Sequence, residues 1–166
     1  LENEFLKIRF NARGELASVY DKEMKREVLA EGQAGNVFEV FEDKPLMFEA
    51  WDIELYYQDK KLSTGGKADI DIIQCGPLCA TLRVRKNVLD GTVEQYISVY
   101  RGSRRVDFDT RIEWCNKDTL LKVAFPVAVH AAEATYDIQF GNVSRPTHWN
   151  TSWDWARFEV FGHKWA

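Results

Sequence analysis

The chain has 166 residues, of which 45% are hydrophobic and 29% are charged, as in an ordinary folded globular protein. This composition excludes a disordered tail, and a chain of this length can bury a core without disulfides or metal. The formal net charge of −4, with no basic block, argues against nucleic acid as the main partner. Aromatic residues make up 13% of the chain and favour strands, which points to a β fold.

Cellular location is indicated only by what the sequence lacks. Its longest apolar run falls far short of the ~18 residues of a membrane span, and no signal-peptide pattern occurs. The three cysteines, Cys75, Cys79 and Cys115, form neither an even set nor a CxxC pair. We therefore expect a cytoplasmic protein with no membrane partner.

The first predicted elements form a hairpin. Residues 11–14 (Asn-Ala-Arg-Gly) are a turn signal between two apolar segments, 5–10 and 15–20. The segment 21–31 contains helix-forming residues but fits a short strand equally well. Farther along, residues 63–66 (Ser-Thr-Gly-Gly) close the aromatic segment that begins at Trp51.

Alternating apolar and polar residues dominate from about residue 67 to residue 132. Asp90-Gly91 is a strong hairpin signal, and further turn signals lie at 101–104 and 116–118. The alternation over 106–114 and 121–129 predicts long antiparallel strands in a meander, and Pro126 predicts an edge or a bulge in the second of them. The sequence therefore predicts one all-β domain over residues 1–166, an antiparallel β-sandwich of about ten or more strands.

Motifs for several kinds of chemistry are missing. The chain has no phosphate-binding glycine pattern and no G-x-S-x-G nucleophile elbow. His130, His148 and His163 are too scattered to suggest a metal pair, so we interpret each as structural. Most carboxylates occupy outward strand positions, where solvation explains them better than catalysis.

Two segments break the alternation without resembling turns. Residues 48–57 combine aromatic and acidic side chains, and residues 145–160 hold three tryptophans among His, Asn and Asp. Aromatic faces beside hydrogen-bonding groups suit a sugar, because the ring stacks and the hydroxyls are bound. The alternative is that these rings only pack a long loop against the sandwich.

The segment 145–160 (RPTHWNTSWDWARFEV), with His163-Lys164-Trp165 after it, closely resembles the C-terminal domain of α-mannosidases of glycoside hydrolase family 38. Three further segments support the resemblance: 3–23, 50–52 and 136–141. The Trp51-Asp52 segment is more similar to the bacterial and cytosolic branch than to the Golgi or lysosomal one.

The resemblance implies a larger enzyme, a retaining exo-α-mannosidase with a galactose-mutarotase-like β supersandwich at its C-terminal end. A catalytic domain would supply an aspartate nucleophile, an acid/base carboxylate and zinc, and a helical domain would follow it. This chain matches the first part of the β region, so we expect it to be truncated at both ends and inactive alone. It would hold no catalytic residue and no metal, and its partners would be those two domains and mannose-containing oligosaccharides.

The β region of this family reaches the substrate, which makes the two irregular segments cleft candidates. Trp51 and Asp52 are the first candidates, and Asn150, Trp153 and Asp154 are the second. Two other functions stay open at this point: a free-standing carbohydrate-binding module, and a structural domain that binds no ligand.

Overall fold

The computed structural model describes residues 1–49 and 51–166, so Ala50, part of the 50–52 sequence match, lies outside the described residues. The chain falls into two compact units, Leu1–Ala128 and Val129–Ala166. Within the described residues it is almost entirely antiparallel β-structure, which confirms the predicted fold class. The assignment of all 166 residues to one domain stays a prediction.

The described strands range from two to ten residues. A 3₁₀ helix occupies Leu55–Asp59, and one α-helix, α1, occupies Ser152–Trp155. The strands are β1 (Leu6–Phe10), β2 (Leu16–Asp21), β3 (Arg26–Glu27), β4 (Val37–Glu42), β5 (Lys61–Leu62), β6 (Asp69–Cys75), β7 (Cys79–Val88), β8 (Gly91–Tyr100), β9 (Val106–Glu113), β10 (Thr119–Ala124), β11 (Glu133–Ile138) and β12 (Gly141–Pro146).

The first unit has two layers. One layer is the four-stranded meander β6-β7-β8-β9, and the other consists of two three-stranded sheets, β1-β2-β3 and β10-β4-β5. Leu6, Ile8 and Leu16 pack with Val99 of β8 in one apolar cluster. A second cluster joins β4 to β7 and β8 through Phe38, Val40, Val88 and Val93. Both small sheets thus bury an apolar face against the meander, as in a sandwich.

A buried amide pair also joins the two layers. Asn36, immediately before β4, donates from Nδ2 to Oε1 of Gln95 over 2.7 Å, and Gln95 donates back over 3.2 Å. Gln95 also donates to Thr110 Oγ1 on β9. Because unpaired buried amides are costly, this pair favours the observed alignment of β4 on the meander over shifted ones.

The predicted turns at 11–14, 90–91 and 101–104 all join neighbouring antiparallel strands, as expected. Gly14 is required at the first of them, because its φ is +73° and an added Cβ would lie 2.2 Å from Val84 Cγ1. The β2–β3 segment resolves the ambiguous region 21–31 as a short strand.

The predicted meander was too long. It ends at β9, because β10 crosses to the opposite layer and pairs with β4. β10 is an edge strand, as Pro126 suggested, and Pro126 itself follows the strand. Val123, which lies on this edge strand, is 47% exposed, because an edge strand is covered incompletely, and Phe125 and Val127, which follow the strand, are 43% and 47% exposed.

The second unit is small. Its strands β11 and β12 form a two-stranded hairpin, and α1 follows it. None of residues 129–166 is fully buried. Across the described ranges 1–49 and 51–166, no helix has both the length and the apolar character needed to cross a membrane.

Candidate functional site

The first candidate pair, Trp51 and Asp52, lies in the long connection between β4 and the 3₁₀ helix. Phe48 has a φ of +58°, and its carbonyl accepts hydrogen bonds from the backbone N–H groups of Trp51 (2.7 Å) and Asp52 (2.9 Å). Asp52 Oδ1 accepts from the backbone N–H of Ile53 over 3.0 Å. This turn presents the Trp51 side chain outward, 90% exposed.

The loop around this pair has an unusually apolar surface. Five large side chains, each at least 64% exposed, occur within eleven residues: Leu46, Met47, Phe48, Trp51 and Tyr56. Isolated exposed apolar residues are normal, but a concentration of this kind is typical of a binding surface. We call these five residues the apolar loop.

A recess beside the apolar loop is lined by Leu46, Tyr56 and charged side chains. Glu42 lies at its edge, where Lys60 Nζ is 3.1 Å and Lys44 Nζ 3.5 Å from Oε1. The hydrogen bond from Lys60, helped by the charges of both lysines, lowers the pKa of the Glu42 carboxyl from its usual value. Glu42 is therefore held as a carboxylate and does not have the raised pKa that a general acid needs.

Tyr57, grouped with this segment in the sequence, belongs to the core instead. It is 4% exposed, its ring meets Phe41 edge-to-face at 5.0 Å between centroids, and Lys122 donates to its hydroxyl. The composition of the segment did not distinguish it from the exposed Tyr56. Tyr57 thus anchors the base of the apolar loop.

The second candidate set, Asn150, Trp153 and Asp154, lies around α1 in the second unit. Thr151 Oγ1 accepts from the Asp154 backbone N–H, while Asp154 Oδ2 accepts from the Thr151 hydroxyl (2.7 Å) and backbone N–H (3.2 Å). This capping box supports the first turn of the helix. His148 Nδ1 lies 3.7 Å from the same carboxylate oxygen. Asp154 therefore has a structural role whether or not it meets substrate.

Asn150 and Trp153 are exposed, Trp153 by 76%. The backbone N–H of Asn150 donates to His148 Nδ1 over 3.4 Å, and the side-chain amide of Asn150 takes no part in this hydrogen bond. The structure therefore brings Asn150, Trp153 and Asp154 together at the start of α1. Trp51 and Asp52 form a separate pair in the first unit.

Sequence reasoning missed an arginine that organises the second unit. The Arg145 guanidinium lies 4.9 Å from the ring centroid of Tyr136 and 4.6 Å from that of Phe161, and it donates to the Phe161 carbonyl. Arginine between aromatic rings is a favourable cation–π arrangement. The sequence shows only that an arginine begins the 145–160 segment, and it does not show which aromatic rings that arginine contacts.

Among residues 1–49 and 51–166, no group of three or more His, Cys, Asp or Glu side chains could hold a metal ion. The donor set that zinc needs is therefore not found in the described part of this chain.

The fold and the candidate sites define an antiparallel β protein in which each of the two units carries exposed aromatic side chains. The chain belongs to the family described as the glycosyl hydrolases family 38 C-terminal domain, whose model matches residues 1–166. This match confirms the family resemblance found in the sequence; the bacterial and cytosolic branch stays a prediction.

Relatives among characterised proteins are all much longer. The chain is 41% identical over 172 residues to Alpha-mannosidase G of Dictyostelium discoideum, with 100% of this chain and 16% of that protein covered. It is 36% identical over 170 residues to Alpha-mannosidase 2C1 of Homo sapiens, with 99% and 16% covered. The chain thus spans about one sixth of the length of these relatives.

A solved structure shares the fold. The crystal structure of an alpha-mannosidase from Enterococcus faecalis V583 matches 93% of this chain and 20% of its own, with a TM-score of 0.74 and 17% sequence identity. At that identity the likeness establishes the architecture alone.

Proposed function

We propose that this chain is a non-catalytic part of the C-terminal β region of a zinc-dependent, retaining exo-α-mannosidase. The family match over the whole chain supports this proposal, as do the names of the relatives. Bond cleavage and the zinc ion would belong to a catalytic domain outside this chain, and the relatives, of which the chain spans only 16%, are long enough to contain one. The chain would support that domain and the helical domain of the same polypeptide.

The observation that carries a role at the substrate is the exposure of Trp51 beside Asp52. An indole that is 90% exposed can stack on the apolar face of a sugar ring. The neighbouring Asp52 carboxylate can accept hydrogen bonds from sugar hydroxyls. Together they would form one wall of the substrate cleft and hold the terminal mannoside in orientation for the catalytic groups.

The second set would contribute through two of its three side chains more than through the third. Asn150 and Trp153 offer an amide and an exposed indole, whereas the Asp154 carboxylate is already bonded to Thr151. We propose Asn150 and Trp153 as direct contacts for mannose-containing oligosaccharides and Asp154 as a contact through Oδ1.

We also propose a cytoplasmic location for the enzyme, and the three free thiols of this chain support that proposal.

The test separates the parent enzyme from this chain. The full-length enzyme should hydrolyse a nitrophenyl α-mannoside, and the isolated 166-residue chain should not, with or without zinc. Circular dichroism of the isolated chain must show mostly β-structure for the comparison to be valid. Turnover that follows the isolated chain through purification would place the chemistry here and overturn the proposal.

A carbohydrate-binding module is the second candidate, favoured by the same exposed tryptophans. Isothermal titration of the isolated chain with mannose and mannobiose distinguishes the two. A binding module should give millimolar or tighter affinity without any other domain. A cleft wall that is only one side of a site should give no heat of binding.

A further inference from the structure

The tip of the β11–β12 hairpin carries the most exposed aromatic side chain among the described residues. Ile138 pairs with Gly141, so Gln139 and Phe140 are the two residues of the turn. The relative exposure of Phe140 is 109%, so its ring touches essentially none of the other described residues. Burial of such a ring against another surface would be favourable, because it removes apolar area from water.

The backbone at the same residue is unfavourable too. Phe140 has a φ of +61°, in the left-handed region where glycine and asparagine are the usual residues. A phenylalanine there crowds its Cβ against the backbone, and such strained positions concentrate at functional sites. The strained backbone works against stability, the exposed ring contributes nothing to it, and no contact among the described residues offsets the strain.

The hairpin is held firmly behind its tip. Asp137 on β11 accepts the His163 backbone N–H at its carbonyl and the Lys164 backbone N–H at Oδ2, both over 3.2 Å. Its own backbone N–H donates to the Trp165 carbonyl over 3.0 Å. A third segment therefore lines β11 next to the turn. An aromatic side chain on such a pre-organised support loses little entropy on binding.

We propose that Phe140 is a docking anchor that inserts into an apolar pocket in the remainder of the same polypeptide. The proposal rests on the proposed function only in taking this chain as part of the longer enzyme. Since the chain spans 16% of its relatives, about five sixths of the polypeptide is available to form that pocket. Buried aromatic anchors carry much of the energy of such interfaces, surrounded by polar contacts such as Gln139 and Lys164 would make.

The decisive experiment asks whether substitution of Phe140 raises or lowers the melting temperature of the full-length protein. Phe140→Gly and Phe140→Asn both relieve the backbone strain and remove the exposed ring. An undocked Phe140 would therefore make both variants more stable than wild type. A docked Phe140 should make both less stable, lowering the apparent melting temperature of the transition by about 2 °C or more.

Lys25 provides the matched control. It is an exposed residue with a φ of +53° in the turn between β2 and β3. Lys25→Gly and Lys25→Asn should leave the melting temperature unchanged or raise it, because only strain is removed. If the Phe140 variants behave as the Lys25 variants do, the docking proposal is wrong.

A measurement on the unmutated protein completes the test. Hydroxyl-radical footprinting with mass spectrometry should show Phe140 oxidised much more slowly in the native full-length protein than in the unfolded one. Equal rates would overturn the proposal. Protection that depends on protein concentration would assign the pocket to a second copy, and protection that needs added mannose would assign the ring to a glycan; either result also overturns it. Failure of the parent to hydrolyse α-mannosides would leave this result unaffected.

Discussion

Lys122 on β10 donates a hydrogen bond from Nζ to the Tyr57 hydroxyl over 2.7 Å, and the same ammonium lies 5.1 Å from the Tyr57 ring centroid. One side chain thus connects the 3₁₀ helix to the edge strand of the β10-β4-β5 sheet. Because the helix ends the apolar loop, this contact fixes the base from which Trp51 projects. The loop is supported at one end by the core and exposed along its length.

Tyr57 and Tyr56 should respond in opposite ways to truncation. Tyr57→Ala removes a buried ring packed on Phe41 and should lower the free energy of unfolding by about 3–5 kcal/mol. Tyr56→Ala, at a 64% exposed position, should change it by no more than about 0.5 kcal/mol. Denaturant unfolding of both variants checks this. Equal losses would mean that the 3₁₀ helix is positioned otherwise.

Trp51→Ala in the full-length enzyme should alter kinetics more than stability. The ring is 90% exposed, so its removal leaves no cavity in the described chain. A lost stacking surface should raise KM for α-mannosides, and kcat should also fall if alignment in the transition state suffers.

Asp52→Asn is the finer variant, because an asparagine Oδ1 can still accept the hydrogen bond from Ile53. It should raise KM with little change in melting temperature. Normal kinetic constants in both variants, together with a large drop in melting temperature, would remove Trp51 and Asp52 from the cleft.

The roles of Asp154 in capping and in substrate contact can be separated with Thr151 as the control. Thr151→Ala and Asp154→Ala each break the capping box, at a cost of about 1 kcal/mol in stability. If Asp154 also contacts the substrate, the KM of the Asp154→Ala enzyme should be clearly higher than the KM of the Thr151→Ala enzyme. Matching KM values for the two variants would restrict Asp154 to capping.

Glu27 should make stability depend on pH. Burial raises the pKa of its carboxyl, but hydrogen bonds from the Ser18 hydroxyl and from the backbone N–H groups of Val19, Leu29 and Val28 outweigh burial and lower the pKa from its usual value. A folded-state pKa below the unfolded value of about 4.3 means that the carboxylate stabilises the fold above that pH. This stabilisation is lost as the pH falls through the folded-state pKa.

Glu27→Gln should therefore lower the free energy of unfolding by about 1–3 kcal/mol at pH 7, and the difference should shrink toward pH 3. Glu31→Gln, at an exposed position nearby, is the control and should have little effect. Unfolding curves at several pH values measure both. If the free energy of unfolding of Glu27→Gln differed from that of the wild type by the same amount at every pH, the ionised Glu27 carboxylate would not be what stabilises the fold.

Strands and turns could be predicted because their signals are local. Alternation gave β7, β8 and β9, and Asp90-Gly91 marked the turn between the first two. Partner choice was not predictable in the same way, because alternation identifies which face of a strand is apolar and says nothing of its neighbour. β10 was therefore assigned to the meander, although it pairs with β4.

The candidate site was predictable by segment but not by side chain. Composition indicated the aromatic segment, yet only packing separates the buried Tyr57 from the exposed Tyr56. The helix α1 was missed although its signal, Thr151 three residues before Asp154, is a recognisable capping box. The turn at Phe140 had no sequence signal, because Gln-Phe is not a turn-forming pair.

The pairing of β4 with β10 has a consequence for biosynthesis. Glu42 and Thr119, partners at one end of the ladder, are 77 residues apart in the chain. At translation rates of about 5–20 residues per second, β4 leaves the ribosome roughly 4–15 s before β10, the strand that pairs with its whole length, exists. During that interval the meander β6–β9 can form from its own nearby contacts. Until β10 exists, only the two-residue strand β5 can pair with β4, so the other edge of this apolar strand stays open for seconds and is a segment for a chaperone to shield.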